Sequence, residues 1–240
     1  AVRSEIGKDT NGNVILETLK KAKIQTVELL RDPKAQTRYS VILNFKGERT
    51  ILGYHPEHKY KALKLKAKYN WIYYSSLGPT FETIQNSLIT WLKKNPEAKL
   101  VFNPGSYQLK EKLVEVQKML FYTDILIVNR EEAEQLVGKD KDIKLLAEKL
   151  LKAGPEIVAI TDGPCGAYAA TAEEFLFAPP MPIKPISTTG AGDAFSSGFM
   201  AALIKNKKLK DALMWGIFNS SSVIQHFGAQ TGLLSSRDLK

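Results

Sequence analysis

Asp124-Ile125-Leu126-Ile127-Val128-Asn129-Arg130-Glu131-Glu132 sets four apolar residues in unbroken succession and follows them at once with polar and acidic ones. A solid apolar run without alternation reads as a strand covered on both faces, the mark of a parallel sheet. The acids after it suit the positive end of a helix. A helix is therefore expected from Glu131 to Val137, ended by Gly138. The same alternation extends in both directions. Upstream, Trp71–Tyr74 and Lys99–Phe102 read as strands, with helices over Pro79–Leu92 and Leu109–Leu120. Pro79 falls near a first turn, where a missing N–H does little harm. Downstream come a helix over Asp142–Leu151, stopped by Gly154-Pro155, and a buried strand over Glu156–Ile160. Two weaker strands follow, Ala167–Ala170 and Glu174–Phe177. Strands alternating with helices in this way specify an α/β fold with a mainly parallel sheet and helices on both faces. Ligands of such sheets sit beyond the carboxyl ends of the strands. That rule places Asn103, Asn129 and Thr161-Asp162-Gly163 along one rim.

Before this region the pattern differs. Residues 9–22 read as a helix with Asp9 as N-cap, and Thr26–Leu30 as a short extended piece. Arg38–Phe45 and Glu48–Leu52, with Lys46-Gly47 between them, predict a hairpin. Pro179-Pro180-Met181-Pro182 reads as a stiff connector between core elements, and two helices close the chain, the second over Leu209–Phe227.

Composition narrows the function classes. The chain has 240 residues, 44% hydrophobic and 25% charged, as expected of a globular α/β domain. A lone cysteine, Cys165, makes no internal disulfide, which points to a reducing, cytoplasmic setting. No apolar run reaches membrane-spanning length, so no membrane partner is expected. The net charge of +9 raises the question of nucleic acid. The lysines, however, are scattered over helical stretches with no interleaved aromatic platform, so no nucleic acid partner is expected. A positive field also draws in anionic nucleotides. His55 and His58 form an isolated His-x-x-His, read as a surface pair, and Cys165 is read as a small turn residue.

The chemistry concentrates in Ser187-Thr188-Thr189-Gly190-Ala191-Gly192-Asp193-Ala194-Phe195. Two glycines allow a sharp turn. Apolar residues at Ala194, Phe195, Phe199, Ala202 and Leu203 then continue at helical spacing. A glycine turn feeding a helix start aims unpaired N–H groups at an anion. Asp193 stands where a carboxylate can take a proton from an attacking hydroxyl. Together these are the outline of a phosphotransfer site. Asn129 and Glu132 lie three apart on one helical turn, facing the same way.

The run from Ser187 to Phe195 resembles the C-terminal motif of the ribokinase-like (PfkB) family of sugar and nucleoside kinases, departing only at Ser187, where the family has Asp. Asn129–Glu132 resembles that family's Asn-x-x-Glu. Thr161 to Gly166 resembles its Thr-x-Gly-x-x-Gly turn, and Gly228-Ala229 its closing Gly-Ala. Ile6–Gly12 resembles its Val-Gly-x-Asp-x-x-Gly, and Thr37 with Gly47–Thr50 its lid. The resemblance implies a three-layer, Rossmann-like fold, with residues 1–36 and 54–240 as the core and 37–53 as a β-hairpin lid. It implies ATP as phosphoryl donor and a small sugar or nucleoside as acceptor. Asp193 would be the base, with Gly190, Ala191 and Gly192 as the anion hole. Asn129, Thr161, Gly163 and Gly166 would contact the nucleotide, and Asn219, two residues past Ile217 in the adenine-facing position, would join them. Glu132 would serve magnesium. Ser187 stands where the family's monovalent-cation site has Asp, which puts that site in doubt. Family members carry a further segment before Ile6 that grips the acceptor, so acceptor contacts are expected outside this sequence. The lid implies a homodimer. The rival reading is a member of the same fold that binds nucleotide or sugar without transferring phosphate.

Overall fold

Residues 1–45, 48–54, 60–65, 67–235 and 237–239 are described by the computed structural model. They fall into two units, Ala1–Tyr69 with Gly78–Trp91, and Asn70–Leu77 with Leu92–Lys240. In the first unit β1 (Glu5–Gly7) leads into α1 (Thr10–Lys21), and β2 (Leu30–Asp32) pairs with β1 in parallel, Ile6 opposite Arg31. Asp9 caps α1 as expected, its Oδ1 accepting from the Gly12 N–H at 2.7 Å. The extended piece expected at Thr26–Leu30 is mostly a turn: the Leu29 N–H bonds back to the Thr26 carbonyl, and pairing starts only at Leu30. β3 (Tyr39–Phe45) and β4 (Glu48–Tyr54) form the antiparallel hairpin, with Tyr39 opposite Tyr54 and Val41 opposite Leu52. Lys46, Gly47, His55 and His58 lie outside the described residues.

In the second unit β5 (Trp71–Tyr74) stands at one edge of the sheet. α2 (Glu82–Lys94), most of which belongs to the first unit, follows it in the chain, then β6 (Lys99–Phe102), α3 (Ser106–Glu111) and α4 (Leu113–Leu120). Next come β7 (Ile125–Asn129), α5 (Arg130–Val137), α6 (Ile143–Lys152), β8 (Ile157–Thr161), β9 (Ala167–Ala170) and β10 (Phe175–Ala178). α7 (Ala191–Ile204) and α8 (Leu209–Val223) complete the unit. The six strands run in the order β10-β9-β8-β7-β6-β5. β5 to β8 are parallel, and β9 and β10 turn back antiparallel.

Side chains alternate across a strand, and this sheet fills both faces. Val101, Ile125, Ile127 and Ala159 join Phe195, Phe199, Leu213 and Trp215 in one apolar cluster. Leu100, Phe102, Leu126, Val128 and Ile160 are equally buried at the alternate positions, and α5 and α6 pack on β7 and β8. The result is three layers. α7 and α8 lie in close contact: a Cβ on Gly198 would meet the Trp215 carbonyl at 2.6 Å, and one on Gly216 the Phe195 ring at 2.7 Å. Three helix boundaries differ from the sequence reading. The helix expected at Pro79 begins at Glu82, because Thr80 takes a left-handed φ of 65°. The helix expected over Leu109–Leu120 breaks at Lys112, whose φ of −144° and ψ of 45° are not helical. α8 ends at Val223 and not Phe227, because the Ile224 carbonyl accepts from the Ile186 and Ser187 N–H groups.

Candidate active site

Gly190 enters α7 with φ 82°, a left-handed conformation that glycine adopts without a Cβ penalty. The residue cannot readily be larger, since a Cβ would sit 2.7 Å from the Ala229 Cα. The loop holding Gly228 and Ala229 is thus seated on the helix start, as the paired motifs imply. Gly190, as N-cap, offers α7 no side-chain acceptor. The Ala191 N–H reaches the Thr188 carbonyl at a long 3.3 Å, so it contributes less to an anion hole than expected. Among the described residues no acceptor takes the N–H of Gly192 or Asp193. These are the donors a helix start leaves open, and the helix dipole adds its positive end. Asp193 itself is exposed, and a Cβ on Gly192 would meet nothing within 4 Å. A carboxylate, two open amides and free space therefore share one turn.

Asn129 ends β7 and caps α5. Its Oδ1 accepts from the Glu132 N–H at 2.8 Å, and Glu132 Oε2 accepts from the Asn129 N–H at 2.9 Å, a capping box. The Asn-x-x-Glu spacing is therefore a local structural device as well as a candidate metal site. Burial pushes the Glu132 carboxyl above its usual range, the Asn129 N–H partly offsets this, and the Glu131 charge adds to it. Thr161 ends β8 directly opposite Asn129. Arg130 ties this rim together, reaching Asp162 at 3.3 Å and Glu134 at 3.4 Å. Gly163 opens a single 3-10 turn with φ 51° and nothing within 4 Å of its would-be Cβ, so its outer face is clear. Gly166 serves packing: its Cβ would meet the Ala178 carbonyl at 2.3 Å.

Two expected contacts have other tasks. Asn219 is 3% exposed and its amide is fully engaged. It donates to the Ala194 carbonyl at 2.7 Å and to Ser197 Oγ at 3.0 Å, and accepts from the Leu234 N–H at 2.9 Å. It pins the first turns of α7 to the C-terminal segment, which leaves no polar group for a base. Ile217 belongs to the core cluster. One residue that sequence reasoning passed over is Tyr73, at the carboxyl end of β5. Its hydroxyl donates to Asn103 Oδ1 at 3.2 Å, and the charges of Asp193 and Glu132 both act on it. Burial, before those charges, raises its phenol above the ordinary tyrosine value. Ending a strand at the same rim as Asn103 was the signal that could have singled it out.

A magnesium ion takes few carboxylates and keeps several waters. Among the described residues no group of three His, Cys, Asp or Glu could hold a metal. Glu132, in the first turn of α5 at the strand-end rim, is the carboxylate that fits an ion carried in with phosphate oxygens. A groove of about 540 Å³ lined by Lys144, Glu148, Thr171 and Glu174 brings together none of these residues. Among the described residues no helix is long and apolar enough to cross a membrane.

Residues 1–236 match the model of the pfkB family carbohydrate kinases. An uncharacterised sugar kinase from Archaeoglobus fulgidus is 27% identical over 98% of this chain and 94% of its own length. A ribokinase from Staphylococcus aureus is 28% identical over 96% of this chain and 77% of its own. Among solved structures, a ribokinase II from E. coli superposes with a TM-score of 0.84 at 16% identity, covering 99% of this chain and 80% of that one. Fructokinase from Vibrio cholerae, with fructose, ADP and calcium bound, gives 0.81 at 21% identity, covering 99% and 83%. The two structural likenesses show the fold.

Proposed function

The chain belongs to the pfkB family of carbohydrate kinases, and we propose that it moves the γ-phosphoryl group of ATP to a hydroxyl of a small sugar or nucleoside, with Asp193 as general base. The observation that carries this reading is the exposed Asp193 carboxylate on the same turn as the open Gly192 and Asp193 amides. Asp193 accepts the proton of the attacking hydroxyl, so that the oxygen attacks as an alkoxide-like nucleophile. The amides of Gly192 and Asp193, together with the dipole of α7, stabilise negative charge on the phosphoryl oxygens. Asn129, Thr161, Gly163 and Gly166 shape the nucleotide side of the site. Asn219 acts behind α7 by holding its first turns in place. Glu132 would hold magnesium, whose charge would offset that of the phosphate oxygens.

Replacing Asp193 with Asn tests the assignment. The isosteric amide keeps the helix start but cannot take a proton. ATP consumption with D-ribose or D-fructose as acceptor should fall by at least about a hundredfold, the scale of general-base catalysis, while ATP affinity by calorimetry stays within a few-fold. Near-normal turnover in this variant removes Asp193 as the base. Saturable ATP binding by the wild type with no consumption against any acceptor would favour a non-catalytic binder.

A further inference from the structure

Arg38 stands just before β3, and its side chain has a fitted place but no partner. Its backbone is fixed by its neighbour, since the Thr37 N–H and Oγ1 both donate to Asp9 at 2.7 Å. The guanidinium carbon lies over the Tyr60 ring, 5.8 Å from its centroid. That ring is held in turn. Its hydroxyl accepts from the Gly78 N–H at 3.0 Å, and the Tyr60 N–H donates to Thr80 Oγ1 at 3.2 Å. Gly78 makes the room: a Cβ there would fall 2.0 Å from Nη1 of Arg38 and 2.7 Å from Nη2. Thr80 presents its hydroxyl from a left-handed φ of 65°, an outlier for a β-branched residue. Among the described residues the guanidinium nonetheless donates to no oxygen and pairs with no carboxylate, and Nη2 is buried without an acceptor. Arg3, Arg31 and Arg130 differ, each donating to an oxygen, at 3.2, 2.6 and 3.0 Å respectively.

We propose that Arg38 anchors an oxyanion site in the first unit, binding the phosphate or carboxylate of a small anionic sugar derivative. A guanidinium carries five N–H donors in a planar fork, which matches two oxygens of either group. A cation drawn partly out of water without a partner is costly, and an anion offsets that cost better than a neutral hydroxyl. The side chain is half-buried and not sealed, so a ligand reaches it from solvent. Tyr60 covers one face of the guanidinium and leaves its edge for the ligand. The net charge of +9 favours the approach of an anion. Membership of a carbohydrate kinase family makes a sugar derivative the carrier of that group. The proposal does not rest on Asp193 as the base, because Arg38, Tyr60, Gly78 and Thr80 all belong to the first unit.

The test titrates wild type, Arg38→Met and Arg38→Lys by calorimetry with D-fructose 6-phosphate, D-ribose 5-phosphate, D-gluconate and inorganic phosphate. D-fructose serves as the neutral control and ATP as the nucleotide control. Wild type should bind a sugar phosphate or the sugar acid, and which of these arms responds identifies the oxyanion. Arg38→Met should weaken that binding at least about tenfold, the scale of charge-assisted hydrogen bonds. Arg38→Lys keeps the charge without the fork and should fall between the two. Affinities for D-fructose and ATP should not change. Without ligand, Arg38→Met should melt at or above wild type, because it removes an unpaired charge. Equal affinity of wild type and Arg38→Met for every anion overturns the proposal. So does a loss confined to ATP, failure of wild type to bind any of the anions, or inorganic phosphate binding as tightly as the sugar phosphates. If Arg38→Met does not fold, Arg38→Lys carries the comparison, and unchanged affinity in it overturns the proposal. Titration needs no turnover, so anion binding that depends on Arg38 stands even where Asp193→Asn keeps its activity.

Discussion

Asp9 and Glu132 are both helix-capping carboxylates, and their surroundings move them in opposite directions. Asp9 accepts from the Thr37 N–H and Oγ1, each at 2.7 Å, and from the Gly12 N–H. The Thr37 backbone bond first, and the Gly12 bond second, hold it below the ordinary value of 3.8. A carboxyl lowered in the folded state contributes stability that is complete above its unfolded value and is lost as pH falls through the folded one. Asp9→Asn should therefore lower the melting temperature at pH 7 and flatten its decline between pH 5 and about pH 2, read by thermal melts across that range. Glu132 has the reverse sign. Burial raises it, so the fold holds its proton more tightly than the unfolded chain does, and ionisation as pH rises through the carboxylate range opposes folding. Glu132→Gln keeps an acceptor for the Asn129 N–H and removes that charge. Its melting temperature at pH 7 should equal or exceed wild type, while the magnesium concentration for half-maximal activity rises about tenfold, as for loss of a metal-supporting group. A lower melting temperature with unchanged magnesium demand would leave Glu132 as a helix cap alone.

At the scale of the element, α7 tests whether the glycines of its entry have separate duties. Gly190 has a left-handed φ and Ala229 backbone against it, whereas Gly192 is ordinary helix with open space beside it. Gly190→Ala should destabilise by about 2 kcal/mol or more, from the left-handed conformation and the clash together. Gly192→Ala should leave stability equal or raise it by about 0.5–1 kcal/mol, as alanine does in a helix. Its methyl would nonetheless occupy the space beside the open amides, so turnover should fall while the melting temperature does not. Denaturant unfolding and steady-state kinetics on both variants separate the two duties. The entry of α7 was legible because a glycine turn feeding apolar residues at helical spacing is a local signal. The break at Lys112 was not, since no glycine or proline marks it. Gln108 bonds the Gly105 N–H at 2.9 Å, the Leu77 N–H at 3.2 Å and the Tyr74 hydroxyl at 3.1 Å, fixing α3 through contacts distant in sequence. The bracing contacts of Asn219 were hidden for the same reason. Its partners Ala194 and Leu234 lie 25 and 15 residues away, and only the folded pair of helices brings them together.

At the scale of the whole molecule, a mainly parallel sheet covered on both faces was readable because solid apolar runs such as Ile125–Val128 fit little else, whereas the faces of the β3–β4 hairpin show what a sequence pattern omits. Its cross-strand pairs place Tyr39, Val41 and Leu43 beside Tyr54, Leu52 and Thr50. Val41 and Leu52 remain 48% and 55% exposed. A two-stranded hairpin is marginal alone in water, and a contiguous exposed apolar face on one is a surface that calls for cover. We propose that a second copy of this chain supplies it, pairing hairpin on hairpin in a symmetric dimer. Leu52→Lys would place a charge at the centre of that face. The side chain is already exposed, so the monomer's stability should stay within about 0.5 kcal/mol of wild type, as for surface substitutions. Sedimentation at micromolar concentration should show wild type as a dimer and the variant shifted to monomer. Acceptor affinity measured on each form would then report whether pairing supports the site. A monomeric wild type at every concentration would show that the hairpin stands uncovered, with its apolar pairs stabilised only by each other.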